Sequence, residues 1–379
     1  MRVVTAIDSF KGSLTSMEAG KAAAEGFHRV DSGIDVDVRP LADGGEGTVE
    51  ALVAGMNGTY EHVLVTGPFG APVDCGYGII RDSMTAVIEM SGAAGITLVP
   101  RTELNPMNAT TYGVGEVIRD AVSKGCRRFV VGIGGSATND GGAGMLQALG
   151  WGFLDADGRQ IPFGAKGLEV LDHITDDYVL PDLKNCTFRV ACDVTNPLCG
   201  PDGCSAVFGP QKGATDSMIM EMDKWLGTYA AIAKEKYKDA DMTFPGTGAA
   251  GGLGFAFLTF LHGKLESGIR IVQEETHLEE HIREADLVIT GEGMLDFQTA
   301  MGKAPVGVAA LAKKYNKPVI AFAGGVTKDA GVCNEKGIDA FFPIVRGVTT
   351  LDDAMNPENA KHNMADAAEQ AMRLFLLGR

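Results

Sequence analysis

The 379-residue sequence has no CxxC pair, no zinc-finger spacing of Cys and His, no Walker A motif and no GxSxG elbow. The seven cysteines are scattered, and Cys199 and Cys204, five apart, have no histidine nearby, so they read as isolated reduced thiols rather than a disulfide or zinc framework. Positive charge is scarce: 33 Lys and Arg stand against 49 Asp and Glu, a net charge of −16, and no basic run interrupts the acidity. That balance excludes a nucleic-acid or anionic-membrane binder, because affinity for phosphate surfaces comes largely from Lys and Arg. The N-terminal apolar run is broken at Asp8, too early for a secretory signal. The uncharged stretch 242–263 is long enough to span a bilayer, yet six glycines and a proline mark it as a Gly-rich loop entering a buried helix. No linker, low-complexity tract or tandem repeat is visible. A cytoplasmic protein without nucleic-acid or membrane partners is the expectation.

Glycine is abundant instead. There are 51, about 13% of the chain, against an average of ~7%. They fall in short clusters without a period, which argues for tight turns and close backbone approach to ligands. With 45% hydrophobic and 22% charged residues, the chain can bury a sizeable core, and its length suits two domains. Both ends alternate strand and helix signals: RVVTAID, MEAGKAAAEGFHRV, DVDVRPLAD and GGEGTVEALVAGM at the start, ADLVITGEG, PVGVAALAKKYN, KPVIAFAGGV, IDAFFPIV and a closing helix at the end. Such alternation predicts βαβ units in a parallel sheet. The middle, from EHVLVTGPFG onward, has short strands punctuated by Gly and Pro, as in a mixed sheet. The expected architecture is therefore α/β: a Rossmann-like parallel-sheet domain from 1–70 plus 286–379, an inserted α/β domain with a mixed sheet over 71–285, and the active site in the cleft between them.

Five segments share one pattern, an apolar strand that stops at glycines and polar residues: 6–13, 41–48, 132–144, 191–200 and 288–299. In parallel α/β proteins ligands bind outside the carboxyl ends of strands, and free N–H groups at helix starts favour phosphate. Any one segment is ordinary turn and cap chemistry. Five of them, each with an acid, point to a polyphosphate and metal site. Lys11, Lys212 and Lys303 sit in short glycine-containing loops and suit a small anionic substrate. GIGGSA at 132–137 matches the GxGxxA dinucleotide fingerprint, with Asp155 beyond it, but SATND separates it from the next helix. An NAD-dependent oxidoreductase of a small hydroxy acid is thus one alternative, and a non-catalytic sugar-acid or nucleotide sensor another.

Taken in order, DSFKGS, ADGGEGT, TTYGVGE, GIGGSATNDGGAGMLQALG, ACDVTNPLCG, VFGPQKGA, GAAGGLG and ITGEGMLDFQT resemble the type I glycerate kinase family. GGSATNDGGAGM is the most specific stretch; Met294 and the flanking Cys199 and Cys204 are small departures. The resemblance implies ATP- and Mg²⁺-dependent phosphorylation of D-glycerate, giving 2-phosphoglycerate, by a monomer or homodimer. Phosphoryl transfer needs positioning and charge neutralisation more than covalent chemistry. On that basis Gly134, Gly135, Ser136, Thr138, Asn139, Gly141 and Gly142 are expected to cradle ATP. Asp140, Asp193 and Glu292 are expected metal ligands, and Asp193, Lys11 and Asp296 expected catalytic residues. Ser9, Asp43, Glu46, Asn196, Lys212 and Lys303 are expected around the substrate. How the base and metal roles divide among Asp43, Asp140, Asp193, Glu292 and Asp296 is open at this level.

Overall fold

The computed structural model of the chain describes residues 1–45 and 47–378. It divides into two compact units. The first holds Met1–Asp43, Glu50–Asn57 and the chain from Ile269 onward; the second holds Gly44–Val49 and Gly58–Gly268.

In the first unit, five strands lie in the order Ala340–Pro343, Val319–Val326, Leu287–Leu295, Arg2–Ile7, Asp35–Val38, every neighbouring pair parallel. The central strands are β-branched and apolar because both faces are covered. Helix Ser16–Val30 starts in a capping box, with Thr15 Oγ1 accepting from the Glu18 N–H at 3.2 Å and Glu18 Oε2 accepting from the Thr15 N–H at 3.0 Å. Its buried face of Ala19, Ala22, Ala23 and Phe27 packs with helix Pro357–Leu377. Gly26 permits that approach, since a Cβ there would stand 2.1 Å from the Ala365 carbonyl oxygen.

The strand order contains a reversal. From Arg2–Ile7 the chain moves outward to Asp35–Val38; from the adjacent Leu287–Leu295 it moves the other way, to Val319–Val326 and Ala340–Pro343. A reversal of this kind opens a crevice at the carboxyl ends of the two strands that flank it, where ligands of open α/β sheets bind.

The second unit holds a six-stranded mixed sheet. Lys264–Glu266, Thr187–Ala191, Arg128–Gly132 and Thr85–Glu89 run parallel, and Pro72–Ile80 and Thr59–Thr66 complete it antiparallel. Its core is built on Phe129, Phe153, Phe188, Tyr229, Phe255 and Phe257. Helix Ala249–Phe260 is buried, as the Gly-rich stretch predicts, with Ala250, Gly251 and Gly252 left-handed in its first turn. Among the described residues no helix is long and apolar enough to cross a membrane.

The α/β architecture with one parallel and one mixed sheet is the one the sequence predicts. The unit boundaries differ from the expected 1–70, 71–285 and 286–379. Gly58–Gly70 joins the second unit because Thr59–Thr66 pairs with Pro72–Ile80 along its whole length. Ile269–Ala285 joins the first, where helix Leu278–Glu284 packs on helix Ala304–Lys314 and strand Arg2–Ile7.

Candidate active site

The chemistry of the first unit gathers at the strand reversal. Ile7 pairs with Gly291, so Asp8, one residue further, stands at the level of Glu292 on the neighbouring strand. The Asp8 N–H donates to the Gly291 carbonyl at 2.9 Å, which fixes its backbone to that strand. The strand does not stop at its glycines as the sequence pattern suggests. It continues to Leu295, because Met294 and Leu295 still pair with Gly325 and Val326, and Glu292 therefore sits within the sheet.

Asp8 is 5% exposed. Its Oδ1 accepts from the Ser9 N–H at 2.7 Å, and among the described residues it makes no ion pair. Burial, then the neighbouring charges of Asp43 and Glu292, push its carboxyl up to about 7, against the opposing effects of the Ser9 hydrogen bond and Lys11. Burial also raises Glu292, opposed by the Thr299 hydroxyl and by Lys303. That hydroxyl donates to Glu292 Oε1 at 2.5 Å, while Asp296 Oδ1 accepts the Thr299 N–H at 3.0 Å and the Asp296 N–H donates back to Thr299 Oγ1 at 3.2 Å. Asp296 thus acts first as the cap of the turn at 296–299, and Glu292, expected as a metal ligand, is tied into the protein through Thr299. Lys11 is exposed and Lys303 half-buried at the cap position of helix Ala304–Lys314.

Ser9, Lys11, Asp43, Glu292, Asp296 and Lys303 are thus brought together in one unit; Glu46 lies outside the described residues. Asp8 is the member that sequence reasoning missed, having counted only as the break in an apolar run. The signal was present: it is the acid directly past the first strand, in the DSFKGS segment.

The second unit treats its glycine loop differently. Only Gly134 and Gly135 are exposed; Ser136 to Gly144 are buried. Asp140, fully buried, accepts four hydrogen bonds: from the Thr111 N–H at 2.8 Å, the Thr111 hydroxyl at 2.9 Å, the Gly142 N–H at 3.1 Å and the Gly144 N–H at 3.3 Å. Burial raises its carboxyl and those four bonds oppose the rise. The Gly141 N–H is spent on the Gly251 carbonyl at 2.9 Å. The glycines here serve packing. A Cβ on Gly142 would lie 2.4 Å from that of Ala256, and one on Gly141 would lie 2.7 Å from the Tyr229 ring.

Several expectations are corrected by this geometry. Asp140 is a framework carboxylate, since a metal ion would have to displace four donors. Ser136, Thr138, Asn139, Gly141 and Gly142 are inside the protein, so of the expected cradle only Gly134 and Gly135 offer backbone to a phosphate. The following helix, Ala143–Ala148, is short and its first amides are engaged, which also removes the dinucleotide fingerprint. Asp155 caps its own turn, accepting from the Asp157 and Arg159 N–H groups. Lys212 is 2% exposed and braces the loop from within: its Nζ donates to Ser136 Oγ at 2.7 Å and to the Thr138 carbonyl at 2.6 Å, and burial drops its pKa to about 8. Its ammonium is directed into the protein. Asn139 Nδ2 donates to Ser205 Oγ at 2.8 Å.

Asp193 lies two residues past strand Thr187–Ala191, exposed, with Oδ1 accepting the Gly268 N–H at 3.2 Å. Asn196, expected around the substrate, donates its amide to the Asp202 carbonyl at 2.8 Å and holds the loop.

Residues 3–376 match the glycerate kinase family. The chain is 47% identical over 378 residues to the glycerate 2-kinase of Escherichia coli (strain K12), covering all of this chain and 99% of that protein. It is 46% identical to the glycerate kinase of Bacillus subtilis (strain 168), with both proteins covered in full. The crystal structure of a Salmonella typhimurium LT2 chain assigned as glycerate kinase 2 superposes with a TM-score of 0.92 at 46% identity, covering all of this chain and 99% of that one.

Proposed function

The chain belongs to the glycerate kinase family and is a phosphotransferase; from that premise we propose that it moves the γ-phosphoryl group of ATP to the 2-hydroxyl of D-glycerate, with Mg²⁺, in the cytoplasm. The observation that carries this reading is the set of clustered acids and lysines, Asp8, Asp43, Glu292, Lys11 and Lys303, at the strand reversal of the parallel sheet. The name of the Escherichia coli relative supports the 2-hydroxyl. Seven free cysteines suit a reducing compartment.

Each group has work to do in such a transfer. Lys11 and Lys303 supply positive charge for the carboxylate of glycerate and for the transferring phosphoryl group. Gly134 and Gly135 present backbone that a phosphate can approach closely. Asp193 would hold Mg²⁺. It is an exposed hard oxygen donor on a loop past a parallel strand, and Mg²⁺ takes only one or two protein carboxylates beside phosphates and waters. When bound, the ion neutralises charge on the β- and γ-phosphates.

³¹P NMR of the purified protein with ATP, Mg²⁺ and D-glycerate tests the reading. ADP and 2-phosphoglycerate are expected. Formation of 3-phosphoglycerate would overturn the regiochemistry, and no transfer would overturn the phosphoryl donor and acceptor together.

A further inference from the structure

We propose that Asp8 is the catalytic base, taking the proton of the attacking glycerate hydroxyl at its Oδ2 oxygen. The inference rests on the phosphoryl-transfer reading above and adds the residue that performs the proton step.

Position is the first argument. The parallel sheet reverses direction between Arg2–Ile7 and Leu287–Leu295, and the crevice of such a reversal is where ligands of this architecture bind. Asp8 is the first residue past the carboxyl end of one of those two strands, and its N–H is bound to the other.

Four other carboxylates, Asp140, Asp296, Glu292 and Asp193, are engaged elsewhere or exposed. Asp140 holds four donors inside the second unit. Asp296 caps the turn at Thr299, and Glu292 takes that residue's hydroxyl. Asp193 is exposed, where water competes with it for the proton. Asp8 is buried to 5% exposure, one of its oxygens is held by the Ser9 N–H, and among the described residues no cation pairs with the other. A carboxylate poised in this way, oriented through one oxygen and free to accept through the second, is what proton abstraction requires. Its raised carboxyl, set by burial with Asp43 and Glu292 beside it and Lys11 opposing, is in keeping with that task.

The glycerate hydroxyl oxygen forms a bond to the γ-phosphorus as the bond from that phosphorus to the β–γ bridging oxygen breaks. The bridging oxygen keeps the electron pair and leaves as ADP. The hydroxyl proton passes to Asp8 Oδ2 and is returned to solvent after product release.

The test compares wild type, Asp8→Asn and Asp8→Glu for kcat, KM for D-glycerate, Mg²⁺ requirement and melting temperature. For Asp8→Asn, kcat is expected to fall about 10²–10⁴-fold, with KM within about threefold. Its melting temperature should equal or exceed that of wild type, because one of three clustered carboxylates is gone. Asp8→Glu should recover part of kcat. Wild-type turnover with an Asp8→Asn kcat within about threefold overturns the assignment and leaves the kinase reading intact. So does an Asp8→Asn defect repaired by raised Mg²⁺, which would make Asp8 a metal ligand, or one that follows a lowered melting temperature. Absence of wild-type turnover overturns both.

Discussion

Asp8 and Asp140 are both buried aspartates in glycine-rich loops that follow parallel strands, and their surroundings are opposite. Asp140 has four donors and fully spends its negative charge on the backbone and hydroxyl around it. Among the described residues Asp8 has one backbone donor, two acids beside it and no ion pair. Burial raises both carboxyls, so burial alone does not separate a working acid from a structural one. The count of donors does. A charge compensated in place organises its loop; a charge left uncompensated is available to a substrate.

The sharpest way to break that contrast is to disturb the second loop and watch the fold rather than the chemistry. Gly142 has φ +76°, and an added Cβ would stand 2.4 Å from that of Ala256. Gly142→Ala should therefore cost ~3 kcal/mol, from overpacking and left-handed backbone together, as read by urea denaturation. If the loop instead cradles nucleotide as an adaptable surface, the variant will keep its stability and lose ATP affinity.

Lys212→Met comes next. It leaves Ser136 Oγ and the Thr138 carbonyl without their buried donor, and should cost ~2 kcal/mol at pH 7. Its pH dependence follows from linkage. The Lys212 pKa in the folded protein is about 8, and in the unfolded chain about 10.4. Below pH 8 both states hold the proton and the cost of burying the cation is complete. Between those values the unfolded chain holds a proton the folded protein has released, so stability rises with pH. Relative to Lys212→Met, wild type should therefore gain roughly 2.5 kcal/mol from pH 8 to pH 10.5. A flat difference would mean that Lys212 is not buried as a cation.

The smallest structural effect belongs to Asp193→Asn. That side chain is exposed, so stability should change by less than ~0.5 kcal/mol. The apparent Mg²⁺ requirement should rise at least about tenfold, the low end of what losing even an outer partner of a metal site costs. An unchanged requirement would move the metal role elsewhere.

Much of this was legible in the residues. Strand–helix alternation gave the parallel sheet of the first unit, because βαβ units leave both a period and a spacing. Gly/Pro punctuation marked the mixed sheet. The unit boundaries were less legible: whether Thr59–Thr66 joins one sheet or the other depends on its antiparallel partner, Pro72–Ile80, and pairing has no local mark. The site was half legible. A strand ending in glycines and an acid looks the same whether its amides face solvent, as at Gly134 and Gly135, or are consumed by a neighbouring carboxylate, as at Gly142 and Gly144. Lys212 was misplaced for the same reason, since a lysine in a glycine loop carries no sign of the carbonyl that will accept from it. Asp8 was overlooked because its surroundings come from Asp43 and Glu292, which only the folded chain brings beside it.

The central claim, that donor count assigns Asp140 to the framework and Asp8 to the chemistry, meets its most direct test in urea denaturation of Asp140→Asn and Asp8→Asn side by side at pH 7.5. The account predicts that Asp140→Asn loses at least ~2 kcal/mol, because an amide cannot replace a charged acceptor among four donors, while Asp8→Asn loses nothing. The reverse order, with Asp8→Asn the destabilised protein and Asp140→Asn unaffected, would contradict it.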